Sequence, residues 1–265
     1  MKDENNMQKV ALVTGAASGI GYEFTKLLVE DSYNIILIDK ESDKLIEIKQ
    51  SFENEYDSEI KIIAKDLSNP SSAKEIYDEL TQQQIRIDIL INNAGFGIFG
   101  KFTDTNWEEE YEMIQLHVVT STLLVKLFLK GMVERKAGKI LFVTSVAAFY
   151  PGPFMSIYNA TKAYLQSFAE AIANELKGTG VTVTVLSPGL TKTGFQKTIG
   201  GKEPKINQSW ASAVKVAQYG YKAMHSGRVI AIPGFLNYIL ANAGRFLTRN
   251  AATNIVGKLQ KKNKG

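Results

Sequence analysis

The chain has 265 residues, 45% of them apolar, and a formal net charge of +4; it can bury one substantial core, and no stretch reads as a linker between two halves. With no cysteine and only His117 and His225, it excludes disulfides, thiolate metal sites and a cysteine nucleophile, and offers too few ligands for a histidine-based metal centre. Lysine and arginine are scattered except for Lys258, Lys261, Lys262 and Lys264 near the end, a solvated pattern rather than a nucleic-acid face.

The polar start, Met1 to Asn6, has no apolar core of a signal peptide, so the expected location is cytoplasmic. Val10-Ala11-Leu12-Val13 reads as a strand, a helix begins at about Ile20, and Asn34 to Ile38 reads as a second strand. Ile60 to Ile63 follows, then a helix after Asn69-Pro70, a strand over Ile87 to Ile91, and a long helix across Trp107 to Glu134. Ile140 to Thr144 is the next strand, a helix runs through Tyr158, and Val181 to Leu186 and Arg228 to Ile232 complete the set. Short, continuously apolar strands alternating with helices imply an α/β fold: a single-domain, Rossmann-type doubly wound parallel sheet of about seven strands, with helices on both faces.

Two segments stand apart. Thr191 to Ser209 is polar and carries Gly194, Gly200, Gly201 and Pro204; it reads as a mobile loop able to close over a ligand, or else as an ordinary surface insertion. Residues 234–265 form a basic C-terminal extension whose apolar spacing suits amphipathic helices. Three uses are compatible with it: packing over the pocket, packing in a dimer, or lying on an anionic membrane surface. The longest uncharged run, Ile140 to Thr161, is broken by Pro151-Gly152-Pro153, so no transmembrane helix is expected.

Chemistry concentrates at the expected carboxyl ends of the strands. Tyr158 and Lys162 are one helical turn apart, hence on one face, and Ser145 directly follows a buried strand. A tyrosine serves as a base at neutral pH only when positive charge stabilises its phenolate, which assigns Lys162 and a cationic cofactor ring that task. Between the first strand and first helix, Gly15, Ala17, Ser18, Gly19, Ile20 and Gly21 form a G-x-x-x-G-x-G turn, placed to cradle a pyrophosphate on backbone N–H groups. Asp39 ends the second strand 18 residues after Gly21, where a carboxylate accepts both adenosine ribose hydroxyls; this favours NAD. NADP is the alternative, with Lys40 pairing a 2′-phosphate should Asp39 turn away.

In order and spacing these motifs, with Asp66, Asn92-Asn93-Ala94-Gly95 and Pro188-Gly189 with Thr193, make the chain resemble the short-chain dehydrogenases/reductases over nearly its whole length. The resemblance implies that Asp66 and Leu67 border adenine and that Asn93, Ala94 and Gly95 line the cofactor through backbone groups. It implies that Pro188, Gly189, Thr191 and Thr193 hold the nicotinamide carboxamide, and that Lys162 also bonds the nicotinamide ribose. Catalysis would run through Ser145, Tyr158 and Lys162, with His117 at the fourth catalytic position, where the family usually has asparagine. That departure has three readings: a modified proton relay, a packing residue, or the mark of a dinucleotide-binding sensor or scaffold with weak or no catalysis. The aromatic segment Ala147 to Phe154, with Phe96, Phe99 and Phe195, suggests an apolar alcohol or ketone substrate. A homodimer or homotetramer is implied by the resemblance, through helices of the fourth and fifth crossovers.

Overall fold

The computed structural model describes residues 8–195 and 210–262; the expected loop at Thr191 to Ser209 therefore lies largely outside the described residues. Six strands, β1 (Val10–Thr14), β2 (Asn34–Asp39), β3 (Ile60–Ala64), β4 (Ile89–Asn92), β5 (Gly138–Val143) and β6 (Val181–Leu186), are joined by a short last one, β9 (Ile230–Ala231). They form one parallel sheet in the order β3-β2-β1-β4-β5-β6-β9. The expected seven strands are all present. Sequence reading missed the separate two-stranded ribbon of β7 (Thr191–Lys192) and β8 (Ala211–Ser212), because two residues carry no period to read.

Strand residues alternate between two cores. Ala11, Val13, Ile35, Leu37, Leu141 and Val143 face one, together with α1 (Gly19–Glu30), α2 (Ser42–Glu55) and α7 (Ala213–His225). Leu12, Ile36, Ile38, Leu90, Ile140 and Phe142 face the other, with α3 (Ser72–Gln82), α5 (Ser121–Glu134) and α6 (Ser156–Glu175). Both faces of each strand are thus covered, which is why the strands are apolar throughout rather than alternating with polar residues.

The chain order reverses between β1 and β4, so the ends of these neighbours open a crevice at the switch point where such sheets take ligands. Thr14 and Asn92 end the two strands, which places the glycine turn beside the Asn93 segment.

The element Trp107–Glu134 is 28 residues long and, by length and composition, apolar enough to cross a membrane, its most apolar 18-residue stretch having a mean hydropathy of 1.5. Here its buried side, Leu124, Val125, Phe128 and Met132, packs on the sheet. It is not one regular helix. Between α4 (Trp107–Ile114) and α5 lies a π turn, Gln115–Thr120, the kind of bulge that concentrates at functional sites. At the other end of the chain, α8 (Phe235–Ala243) and α9 (Arg249–Lys262) are the helices expected in the extension.

Candidate active site

The glycine turn is held from three sides. The N–H of Gly15 donates to Ile38 C=O at 2.8 Å, and that of Ala17 donates to Asp39 Oδ2 at 3.0 Å. The other carboxylate oxygen of Asp39 accepts from Glu41 N–H at 3.2 Å, so Asp39 is clamped at the end of β2. From β4, the Asn93 side-chain amide donates to the carbonyls of Thr14 and Gly15 at 3.0 and 3.1 Å. Thr14 Oγ1 accepts the N–H groups of Asn93 and Ala94 at 2.9 and 3.0 Å. These bonds tie the segment after β4 to the glycine turn.

Gly15 and Gly19 have φ of +66° and +58°, a region that favours glycine. A Cβ on Gly15 would also meet Asn93 Nδ2 at 2.7 Å, and one on Gly19 would meet Thr193 at 3.1 Å. Thr193 thus lies over the turn, bringing the segment after β6 to the first helix. The first backbone bond back to the turn within α1 is Tyr22 N–H to Ser18 C=O, so the N–H groups of Gly19, Ile20 and Gly21 precede the helical ladder and point out of its positive end.

Asp66 Oδ1 accepts the N–H and the hydroxyl of Ser68 at 2.8 and 2.7 Å. Burial alone raises this carboxyl, but the two bonds from Ser68 and the charge of Lys40 outweigh it and hold the pKa below the usual range. Thr120 of the π turn donates to Leu67 C=O at 2.8 Å. Asp66 also lines a cleft of about 580 Å³ with Pro70, Trp107 and Tyr111.

The predicted catalytic side chains converge. Ser145 begins a 3-10 turn (Val146–Phe149), its Oγ accepting from Ala147 N–H at 3.1 Å and donating to Pro188 C=O at 3.5 Å, and it lies near enough to the Tyr158 phenol to pull its pKa down. Lys162 lies on the same face of α6, its Nζ 5.8 Å from the Tyr158 ring centre and donating to Val143 C=O at 3.0 Å. The electrostatics correct one expectation. Burial drives the Tyr158 pKa up to about 12, against a small downward pull from Ser145, and drives Lys162 down to about 8. The ammonium is turned to a strand carbonyl near the ring, and burial outweighs the pull of Ser145, so the low phenol pKa expected from Lys162 together with a cationic cofactor ring does not follow from the Tyr-x-x-x-Lys spacing by itself.

His117 is fully buried inside the π turn. Its Nε2 accepts Phe96 N–H at 3.2 Å, so that nitrogen carries the lone pair. Thr161 Oγ1 donates to Tyr158 C=O at 2.9 Å and stands 2.9 Å from His117 Nδ1. With its own proton committed, Thr161 must accept, and His117 is the neutral Nδ1–H tautomer. Burial, and then the charge of Lys162, hold its pKa well below the usual value. Both ring nitrogens are therefore engaged with protein.

Several supporting residues escaped the sequence reading. Beneath Ser145, Thr144 Oγ1 and Ser187 Oγ meet at 2.8 Å, and Ser187 donates to Gln166 Oε1 at 2.9 Å. Asn159 donates to the carbonyls of Ala147 and Tyr150 at 2.9 and 3.0 Å, stapling the segment after Ser145 to α6. Asn159 sits within the recognised Tyr-x-x-x-Lys stretch, but an isolated polar residue on a helix gives no sign of the distant carbonyls it serves. Aromatic rings gather where expected: Phe195 is 5.4 Å from Tyr158, and Phe99 stacks on Phe154 at 5.8 Å between ring centres. Phe154 has a φ of +69°, a costly backbone for an aromatic residue and one that concentrates near functional sites. Thr191 Oγ1 donates to Gly189 C=O at 3.0 Å, and Pro188 C=O accepts Val146 N–H at 3.0 Å.

A family model described as short chain dehydrogenase matches residues 9–204. An uncharacterized oxidoreductase of Staphylococcus epidermidis is 31% identical over 212 residues, covering 79% of this chain and 90% of that protein. Among solved structures, a short-chain dehydrogenase from Sphingobium yanoikuyae in complex with NADPH is similar at a TM-score of 0.82 and 24% identity, over 89% of this chain and 91% of that one. A short chain dehydrogenase/reductase from Burkholderia phymatum in complex with NAD aligns at a TM-score of 0.78 and 23% identity, with the same two coverages of 89% and 91%.

Proposed function

The chain belongs to the short-chain dehydrogenase family, and from that premise we propose that it is an NAD-dependent oxidoreductase interconverting a hydroxyl and a carbonyl on an apolar small molecule. The observation that carries this reading is the convergence of Ser145, Tyr158 and Lys162 at the crevice that also receives the glycine turn. The residues fit a dinucleotide: helix N-terminal donors at Gly19 to Gly21, a turn whose positive φ at Gly15 brings backbone close, and Asp39 at the ribose position. Such a cofactor supplies or accepts hydride at its nicotinamide ring.

The chain's own part is positioning and proton transfer. Ser145 bonds the substrate oxygen. Tyr158, a neutral phenol at neutral pH whose proton burial holds more firmly, with a pKa of about 12, is the acid that protonates a carbonyl oxygen during reduction. In the alcohol-oxidising direction it must lose that proton, which requires positive charge at the phenol beyond what Lys162 delivers. His117 is a positioning residue, not a relay: it ties the Phe96 backbone to the first turns of α6, and with them Tyr158 and Lys162. NAD over NADP is supported by Asp39, whose two backbone bonds keep it from turning away, and by Lys40, whose charge acts on Asp66.

A cytoplasmic setting and self-association belong to the same proposal. Trp107, Tyr111 and Val119 along α4 and the π turn, and Tyr164 on α6, are exposed, and they suit a two-fold contact between copies, testable by light scattering. For the reaction itself, the test is titration with NADH and NADPH by fluorescence, followed by apolar ketones with reduced-nicotinamide absorbance recorded. Tight NADH binding with ketone-dependent oxidation lost in Tyr158→Phe supports the proposal; binding without turnover moves the assignment to a dinucleotide sensor.

A further inference from the structure

The 62 residues from Pro204 to Gly265 contain ten Lys and Arg and no Asp or Glu, whereas residues 1–203 hold the remaining 21 basic residues against all 27 acidic ones. The chain is thus an acidic body with a strongly basic C-terminal segment. Within that segment the folded surface is also unusually apolar. Of the 19 large hydrophobic side chains exposed among the described residues, nine fall between Phe235 and Leu259. Phe235 is 80% and Phe246 88% exposed. On α8, only Ala241 is buried, while Phe235, Leu236 and Ile239 point outward on the helix. On α9, Ile255 and Leu259 line a shallow groove with Lys258 and Lys261.

An apolar surface of this kind marks an interaction site, and its charge selects the partner. A second copy presenting the same face would place basic segment against basic segment, which like-charge repulsion opposes. An anionic bilayer satisfies both features: the apolar side chains enter the headgroup boundary while Arg249, Lys258 and Lys261, all exposed, meet lipid phosphates. We propose that α8 and α9 form a docking surface for an anionic phospholipid membrane.

The surface is joined to the site. Tyr150, on the segment after Ser145, donates its hydroxyl to Leu240 C=O and accepts Gly244 N–H. Asn237 packs so closely on Gly189 that a Cβ there would approach its side-chain oxygen to 2.5 Å, and Lys261 Nζ stands 5.9 Å over the Phe154 ring. If α8 and α9 rest on lipid, the aromatic side of the crevice lies next to it. The substrate class is then a membrane-dissolved alcohol or ketone, a step that rests on the reaction proposed above.

The test is co-sedimentation of the full-length protein with phosphatidylcholine vesicles, with and without phosphatidylglycerol. Binding is expected to the anionic vesicles, to weaken with salt, and to fall about tenfold in Arg249→Glu/Lys258→Glu. Phe235→Ser/Leu236→Ser, checked for folding by circular dichroism, should reduce it as well. Failure to bind anionic vesicles overturns the surface assignment, as does a halved mass in light scattering for Phe235→Ser/Leu236→Ser, which would give the face to a second copy. Turnover of a water-soluble ketone, assayed without vesicles, is independent of both results, so loss of the proposed reaction and loss of the docking surface are told apart.

Discussion

The ring of His117 bridges to the hydroxyl of Thr161 at 2.9 Å, with the donor and acceptor roles assigned by the bonds that each partner makes elsewhere. Because Nε2 is committed to Phe96 N–H and burial holds its pKa well below the usual value, this histidine is expected to stay neutral where a free imidazole would take up a proton. Its ¹⁵N signals should show the Nδ1–H tautomer without titration. A histidine whose folded pKa lies below its unfolded one favours the unfolded state once that state takes up the proton. Stability should therefore decline as pH falls through about 6.5. His117→Leu leaves the Phe96 N–H without its acceptor while Thr161 keeps its bond to Tyr158 C=O; it should cost about 1–3 kcal/mol near neutral pH and reduce this pH dependence in urea melts, His225, whose pKa is also lowered by burial, accounting for what remains.

Lys162 gives a second pH signature. With a pKa of about 8 in the fold, it is charged below and neutral above that value. Reductive turnover that needs the ammonium should decline as pH rises through about 8. Its folded pKa is depressed from the usual 10.5, so the buried charge destabilises the native state by up to about 3 kcal/mol below pH 8, and this penalty disappears between about 8 and 10.5. Lys162→Met should abolish turnover yet melt higher than the parent at pH 6 to 7, the gap closing at alkaline pH. Equal melting temperatures throughout would contradict the assignment.

Tyr158→Phe removes one oxygen and leaves the ring contacts to Phe195 and His117. Turnover should drop by about 10² or more, while NADH binding, read by fluorescence, persists.

Asp39→Asn removes the charge that discriminates against a 2′-phosphate. The ratio of NADPH to NADH affinity should rise at least several-fold, and because Asp39 also holds Ala17 N–H, a loss of about 1 kcal/mol in stability should accompany it.

Two glycines separate backbone strain from crowding. Gly178 has a φ of +82° and open space around its missing side chain, so Gly178→Ala should cost about 1–2 kcal/mol from conformation alone. Gly15→Ala adds the approach to Asn93 and Ala94, and thermal melts should show it clearly more damaging, with dinucleotide binding lost.

The sheet, its parallel direction and the placement of the glycine turn, Ser145, Tyr158 and Lys162 were legible because each depends on a local period or a short spacing. Runs such as Asn34 to Ile38 are apolar enough to need cover on both faces, and a four-residue interval on a helix leaves little choice of face. The ribbon of β7 and β8 and the supporting polar groups were not legible. Thr144, Gln166 and Ser187 lie up to 43 residues apart, and Asn159 serves a carbonyl 12 residues away; only the folded chain brings them together.

By itself, then, the sequence determined which groups lie at the strand ends, since strand limits and helical phase follow from its apolar pattern. Only the tertiary structure decided their burial and their partners. It raised the Tyr158 pKa by burial, it gave both nitrogens of His117 to the protein, and it turned the apolar side of α8 outward. Each of these depends on how much water is removed from a group and on which distant donor or acceptor replaces it, and neither quantity exists until the chain is folded.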